Sequence, residues 1–170
     1  MLGDYVRNYA PGVRLAVPKL HHRPSVAMGE IEAAIAGVDR ADLTLIGSSL
    51  GGFYATVAAE KCGCRAALLN PAVHPHAHFA RFKGQQTNLY TGESFVLTDA
   101  HVADLAAMDP PHITRPERYW LFVETGDEVL DYREAVAFYE GALQNVTQGG
   151  DHSLSTFPQH LPEIVEWART

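Results

Sequence analysis

The stretch Leu43-Thr44-Leu45-Ile46-Gly47-Ser48-Ser49-Leu50-Gly51-Gly52-Phe53 decides how this chain reads. Leu43 to Gly47 is a short apolar run, which predicts a buried strand. Phe53 to Lys61 predicts a helix, with Ala55, Ala58 and Ala59 as small packing residues and Gly63 as its stop. Between the two, the backbone must turn sharply at Gly47-Ser48-Ser49-Leu50-Gly51. Such a turn strains the central serine, and small neighbours relieve the crowding, hence Gly47 and Gly51. The turn also lifts the Ser49 hydroxyl above the sheet at a helix N-terminus. There the Leu50 N–H points to where negative charge would develop, supported by the helix dipole. Ser49 is therefore the candidate nucleophile and Leu50 the candidate oxyanion donor. Gly-x-Ser-x-Gly also occurs in ordinary glycine-rich turns. The strand before it and the helix after it are the context the chemistry demands.

Working outward, the same alternation recurs. Val13–Val17 reads as a strand stopped by Pro18, and Ser25 as the cap of a helix to about Ala36, with Val26, Ile31 and Ile35 on one side. Arg65–Asn70 is a strand closed by Pro71. Tyr119–Glu124 and Leu143–Thr147 are strands; Tyr132–Tyr139 and Leu161–Ala168 are helices. Strands alternating with helices predict an α/β fold: a mainly parallel sheet with helices on both faces. The rhythm fails from His74 to Thr114, where one helix at about Asp99–Met108 stands out. A long irregular segment in a small domain is expected to be functional, so residues 73–114 are predicted to form a cap-like insertion. No repeat or linker divides the chain, and residues 1–170 are expected to form one domain.

Serine is a weak nucleophile and needs a base oriented by an acid. On such a sheet the partners follow in the order Ser, Asp or Glu, His, each just after a strand. After Tyr119–Glu124 comes Thr125-Gly126-Asp127-Glu128-Val129; after Leu143–Thr147 comes Gln148-Gly149-Gly150-Asp151-His152. Asp127 is the preferred acid, with Glu128, Asp131 and Glu124 as competitors. The plain alternative is that Asp127 caps the helix near Tyr132. His152 is the candidate base, because the other eight histidines lack a post-strand position before the last helix. Asp151 reads as a solvent-facing neighbour. Residues 73–114 would shape an acyl pocket, with Phe53, Tyr54 and Phe79 as candidate walls.

Composition narrows the partners. A formal net charge of −7 argues against nucleic acid and anionic membranes as partners. No apolar run reaches the roughly 20 residues of a membrane helix, and no basic-then-apolar leader opens the chain, so it reads as cytoplasmic. Cys62 and Cys64, the only cysteines, read as buried or half-buried thiols without chemistry. His21-His22 and the alternating His74, His76 and His78 have no carboxylate at ligand spacing beside them. They are expected to line the cap, with no metal.

From Ile46 to Thr56 the chain resembles the YqiA-like esterases, a small bacterial branch of the α/β-hydrolases. Asn70-Pro71-Ala72-Val73, Tyr90-Thr91-Gly92-Glu93, Thr125-Gly126-Asp127-Glu128-Val129-Leu130-Asp131-Tyr132-Arg133 and Gly149-Gly150-Asp151-His152 extend the likeness over nearly the whole chain. The resemblance implies hydrolysis of small carboxylic esters or acyl-CoA thioesters, without a cofactor, by Ser49, Asp127 and His152. It also exposes a departure. Members of that family begin with a strand ending in a Leu-His-Gly-Phe type segment, which supplies a second oxyanion N–H. Here Met1–Val6 looks like part of the helix that follows it. The expectation is an N-terminally truncated hydrolase fold, either because translation starts upstream or because the sheet has rearranged with Val13–Val17 beside Leu43–Gly47. The same departure leaves open a non-catalytic or very weakly active protein. Peptide hydrolysis is a further alternative on the same fold, and an exposed strand edge would favour pairing with a second copy.

Overall fold

A computed structural model describes residues 1–79, 83–87, 92 and 94–169. Its centre is a four-stranded parallel sheet in the order β1-β2-β5-β6, formed by Thr44–Ser48 (β1), Arg65–Leu69 (β2), Tyr119–Glu124 (β5) and Leu143–Thr147 (β6). A separate antiparallel hairpin joins Gly84–Thr87 (β3) to Ser94–Leu97 (β4). The helices are Leu2–Tyr9 (α1), Pro24–Ile35 (α2), Leu50–Cys62 (α3), Pro75–Phe79 (α4), Asp99–Met108 (α5), Tyr132–Phe138 (α6) and Phe157–Trp167 (α7).

Side chains alternate across the central strands, and each face finds its own cover. Ala66 and Leu68 of β2 join Tyr119, Leu121 and Val123 of β5 in packing against Ala55 and Ala59 of α3 and Ala135 of α6. On the other face, Ala67, Leu69, Trp120 and Phe122 meet Ile164 of α7, and α1 lies on α7 through Val6 and Val165. Helix α2 packs against α3 and α5, with Ala27, Met28 and Ile31 facing Phe53, Tyr54, Val57, Ala58 and Leu105. β5 is buried along its full length. That suits a central parallel strand, apolar on both faces.

Several expectations change. Val13–Val17 is not a strand. It lies beside no ladder of the sheet, Val17 is 82% exposed, and only Val13 packs inward, against the Val6 cluster. Among the described residues it pairs with no strand. Ser25 does not cap α2: Arg23 is the N-cap and Pro24 occupies the first turn, where proline's missing N–H costs nothing. The Ser25 hydroxyl instead donates to Asp104 at 2.7 Å. Val26 faces outward, and the buried stripe is Ala27, Met28 and Ile31. Helix α7 starts at Phe157, four residues before Leu161, because Pro158 sits in its first turn rather than interrupting it. The 73–114 region holds α4, the β3–β4 hairpin and α5, with α5 bounded as predicted. Of its Tyr90-Thr91-Gly92-Glu93 motif, Tyr90, Thr91 and Glu93 lie outside the described residues.

β1 is an end strand of the sheet. Two bonds bracket its pairing with β2: Arg65 N–H to Leu43 C=O at 3.4 Å, and Ser49 N–H to Leu69 C=O at 3.0 Å. Odd-numbered residues of β1 therefore face β2. The N–H and C=O of Thr44, Ile46 and Ser48 point to the open side.

Candidate active site

Ser49 stands between β1 and α3 as the N-cap of the helix, at φ 53° and ψ −124°. A non-glycine residue there is strained by roughly 1–3 kcal/mol. Its surroundings hold it: Ser49 N–H donates to Leu69 C=O, and its carbonyl accepts from Gly52 at 2.9 Å and Ala72 at 3.0 Å. A β-carbon on Gly47 would collide with the Gly51 carbonyl, and one on Gly52 would lie 2.6 Å from Pro71 Cβ. A β-carbon on Gly51 would meet nothing within 4 Å. The crowding that demands glycine therefore falls on Gly47 and Gly52, not on Gly47 and Gly51. Leu50 is the first helical residue, so its N–H has no carbonyl one turn back to bond.

Three side chains from separate loops converge. His152 Nε2 lies 3.0 Å from Ser49 Oγ. His152 Nδ1 lies 3.0 and 2.9 Å from the two carboxylate oxygens of Asp127. A carboxylate only accepts, so Nδ1 carries the proton and Nε2 keeps a lone pair for the Ser49 hydroxyl. The Asp127 side chain is 2% exposed, and its Oδ1 also accepts from Val129 N–H at 2.8 Å and Leu130 N–H at 2.9 Å. The competing acids are occupied elsewhere. Asp131 caps α6, Glu128 accepts the His152 backbone N–H at 3.0 Å, and Glu124 is enclosed beneath the loop. Asp151 accepts from Ser153 N–H and does not reach the imidazole.

The loops carrying acid and base touch backbone to backbone. Gly126 N–H donates to Gly149 C=O at 2.8 Å, and a β-carbon on Gly126 would lie 2.5 Å from the Gly150 carbonyl oxygen. Below them, two residues hold the His152 loop. Asn70, 2% exposed and left-handed at φ 40°, donates through Nδ2 to the carbonyls of Asp151 at 3.0 Å and His152 at 3.2 Å. Its Oδ1 accepts from Glu124 N–H at 3.0 Å. Glu124, 0% exposed, accepts from Asp151 N–H at 2.6 Å and from the N–H and hydroxyl of Thr156 at 2.8 and 2.6 Å. Burial alone would raise the Glu124 carboxyl. The hydrogen bonds from Thr156, Asp151 and Ser155 outweigh it and hold the group below the ordinary glutamate range. Sequence reasoning weighs Glu124 as an acid and gives Asn70 no task. The available signal is that each is a polar residue closing a buried apolar strand.

Of the candidate pocket walls, Phe53 and Tyr54 are core residues, 2% and 4% exposed, while Phe79 is half-buried against the same cluster. The histidines divide between the two ends of the 73–114 region. His74 and His76 place Nδ1 2.8 and 2.9 Å from Asp109 Oδ2, a carboxylate distant in sequence. His78 reaches Glu134, and His22 meets His101 at 3.1 Å. Among the described residues no group of three or more His, Cys, Asp or Glu is arranged to hold a metal ion. Nor is any helix among them long and apolar enough to cross a membrane.

The parallel sheet, the flanking helices and the strained serine between β1 and α3 define an α/β-hydrolase-type fold. Solved structures share it at low identity. Mouse alpha/beta hydrolase domain-containing protein 10 matches with a TM-score of 0.60 and 15% identity, over 85% of this chain and 68% of that one. The esterase domain of a Rhodothermus marinus protein gives 0.56 and 18%, over 85% and 66%. A monoacylglycerol lipase from Paleococcus ferrophilus gives 0.63 and 15%, over 89% and 77%. Within this class the chain belongs to UPF0227, an uncharacterised protein family that includes the YqiA-like proteins; the family's profile matches residues 1–169.

Proposed function

We propose that this protein is a serine hydrolase of small carboxylic esters or acyl-CoA thioesters. The observation that carries the reading is the position of His152, bonded to Asp127 through one ring nitrogen and to Ser49 through the other. In this mechanism Nε2 takes the Ser49 proton as Oγ attacks the acyl carbon. The Leu50 N–H and the α3 dipole stabilise the tetrahedral oxyanion. The resulting imidazolium protonates the leaving alcohol or thiol. The same nitrogen then activates water to release the acyl group from Ser49. Asp127 fixes the tautomer and stabilises the imidazolium. The chain's own residues suffice for these steps, so the reaction needs no cofactor. The 73–114 region, with Phe79 half-buried at its edge, serves as the cap that shapes the acyl pocket on a single domain. The esterase and lipase among the structural relatives are consistent with an ester substrate.

The test is hydrolysis of p-nitrophenyl acetate, p-nitrophenyl butyrate and acetyl-CoA by the wild type, Ser49→Ala and His152→Ala. Loss of turnover in both variants, with fluorophosphonate labelling confined to Ser49, is the expected result. Equal rates in wild type and Ser49→Ala reject the assignment.

A further inference from the structure

Outside the site just described, the two thiols of Cys62-Gly63-Cys64 stand side by side. Cys62 ends α3 and Cys64 leads into β2. Gly63 turns between them in a left-handed conformation at φ 79°, closing the helix. That bend brings the two sulfurs to 3.0 Å from one another. A disulfide bond is about 2.0 Å long, so closure asks for about 1 Å of approach. A disulfide also needs Cα atoms roughly 4.4–6.8 Å apart. Residues two apart across a bend fall inside the extended limit of about 7 Å.

The surroundings distinguish the two cysteines. Cys62 is half-buried and within reach of a small solute, whereas Cys64 is 1% exposed and packs with Ala59, Ala66, Tyr119 and Tyr139. Burial, reinforced by the neighbouring Cys62, pushes the Cys64 thiol above the ordinary range. Positive charge lies over the turn: a β-carbon on Gly63 would sit 3.2 Å from Arg118 Nη1 and 3.6 Å from Arg40 Nη1. Arg118 shares its charge with Glu60 at 3.4 Å, and its buried Nε has no hydrogen-bond partner among the described residues. Cys62 is the more exposed thiol of the pair, and exposure is what admits a peroxide to a cysteine.

We propose that Cys62 and Cys64 form a reversible dithiol–disulfide site, oxidised by a hydroperoxide and reset by a dithiol reductant. The Cys62 sulfur attacks the terminal peroxide oxygen; the O–O bond breaks, and the departing alkoxide takes the Cys62 proton and leaves as alcohol. Cys62 is then a sulfenic acid. The Cys64 sulfur attacks the Cys62 sulfur, the S–O bond breaks, and the departing hydroxide takes the Cys64 proton and leaves as water. Two thiols lose two electrons in all, and one hydroperoxide becomes one alcohol and one water. A dithiol reverses the change by exchange through a mixed disulfide. The site lies at the opposite end of α3 from Ser49, about 18 Å along the helix axis. It stands independently of any reaction at that serine.

The test uses the complete chain treated with hydrogen peroxide, blocked with N-ethylmaleimide, digested and weighed. The expected product is the peptide holding both cysteines, two hydrogens lighter, unmodified by maleimide, and returned to two free thiols by dithiothreitol. In Cys64→Ser the oxidation stops at a Cys62 sulfenic acid that dimedone traps. In Cys62→Ser the remaining thiol reacts at least tenfold more slowly than the wild-type pair. The proposal is overturned if the wild type keeps both thiols. It is equally overturned if the wild type passes to sulfinic acid or to disulfides between chains without the lighter peptide. Equal oxidation rates in wild type and Cys62→Ser would also overturn it.

Discussion

Ser49 can hold its strained backbone because two neighbours have no side chain, and the two glycines that follow it do different jobs. Gly47 and Gly52 face backbone and proline atoms, while Gly51 faces open space. Gly47→Ala is therefore expected to cost about 2–4 kcal/mol, as an overpacked position with nowhere for the backbone to retreat. Gly51→Ala, in the first turn of α3, should stay within about 1 kcal/mol of wild type. Urea unfolding of the two variants measures the difference, and similar losses in both would contradict the packing described. Glu124 makes a second residue-scale prediction. Its carboxyl is depressed in the folded chain, so the stability it contributes is complete above the ordinary value of 4.5. That contribution is lost as the pH falls through the lower folded value. Glu124→Gln should weaken the fold at pH 7, because an amide nitrogen replaces one oxygen facing several donors. It should also flatten the decline in urea midpoint below pH 4.5. Turnover should drop through kcat more than KM, since the variant disturbs the His152 loop rather than substrate contacts. A variant with the wild-type slope below pH 4.5 would show that this carboxylate is not what acid attacks there.

At the scale of elements, β1, like β6 at the other end of the sheet, engages only half of its backbone groups in the sheet, those facing β2. Amide exchange should alternate along it: Leu45 and Gly47 protected, Thr44, Ile46 and Ser48 faster by about tenfold or more. Nuclear magnetic resonance of the exchanging amides reads this directly, and uniform protection would mean that another segment or copy covers the open side. The same strand shows what can be read from sequence. β5, β6 and α5 fall where apolar runs and caps put them: β5 is buried on the sheet and α5 packs against α2, in agreement with local preference, and β6 pairs along β5. Val13–Val17 has strand-like alternation yet forms none, since a strand needs a neighbour and no stretch of sequence states which neighbour it has. The β3–β4 hairpin escapes for the opposite reason. Gln85, Gln86 and Thr87 carry no apolar alternation, so their pairing with Ser94–Val96 leaves no pattern to read. At the site, Ser49, Asp127 and His152 are legible through their places after strands. Asn70 and Glu124 are not, because their importance lies in bonds to backbone atoms far along the chain.

Across the whole molecule, charge and open edges act against each other. The chain carries −7 at pH 7 and has an isoelectric point near 5.6, so copies repel at neutral pH and lose that repulsion on mild acidification. The sheet ends in β1 on one side and β6 on the other, where Leu143 and Val146 are 52% and 46% exposed. Unpaired strand edges template further pairing when repulsion fades. Self-association measured by light scattering should therefore peak near pH 5.6 and fall away by pH 8. Thr44→Pro separates the two edges. The Thr44 N–H points to the open side, so proline removes no bond to β2. Leu43 before it is already extended, at φ −108° and ψ 125°, the conformation a following proline requires. The variant should fold with an unchanged far-ultraviolet spectrum and scatter several-fold less light at pH 5.6. If it scatters as much as the wild type, association runs through β6 or another surface, and the open side of β1 is shielded in solution.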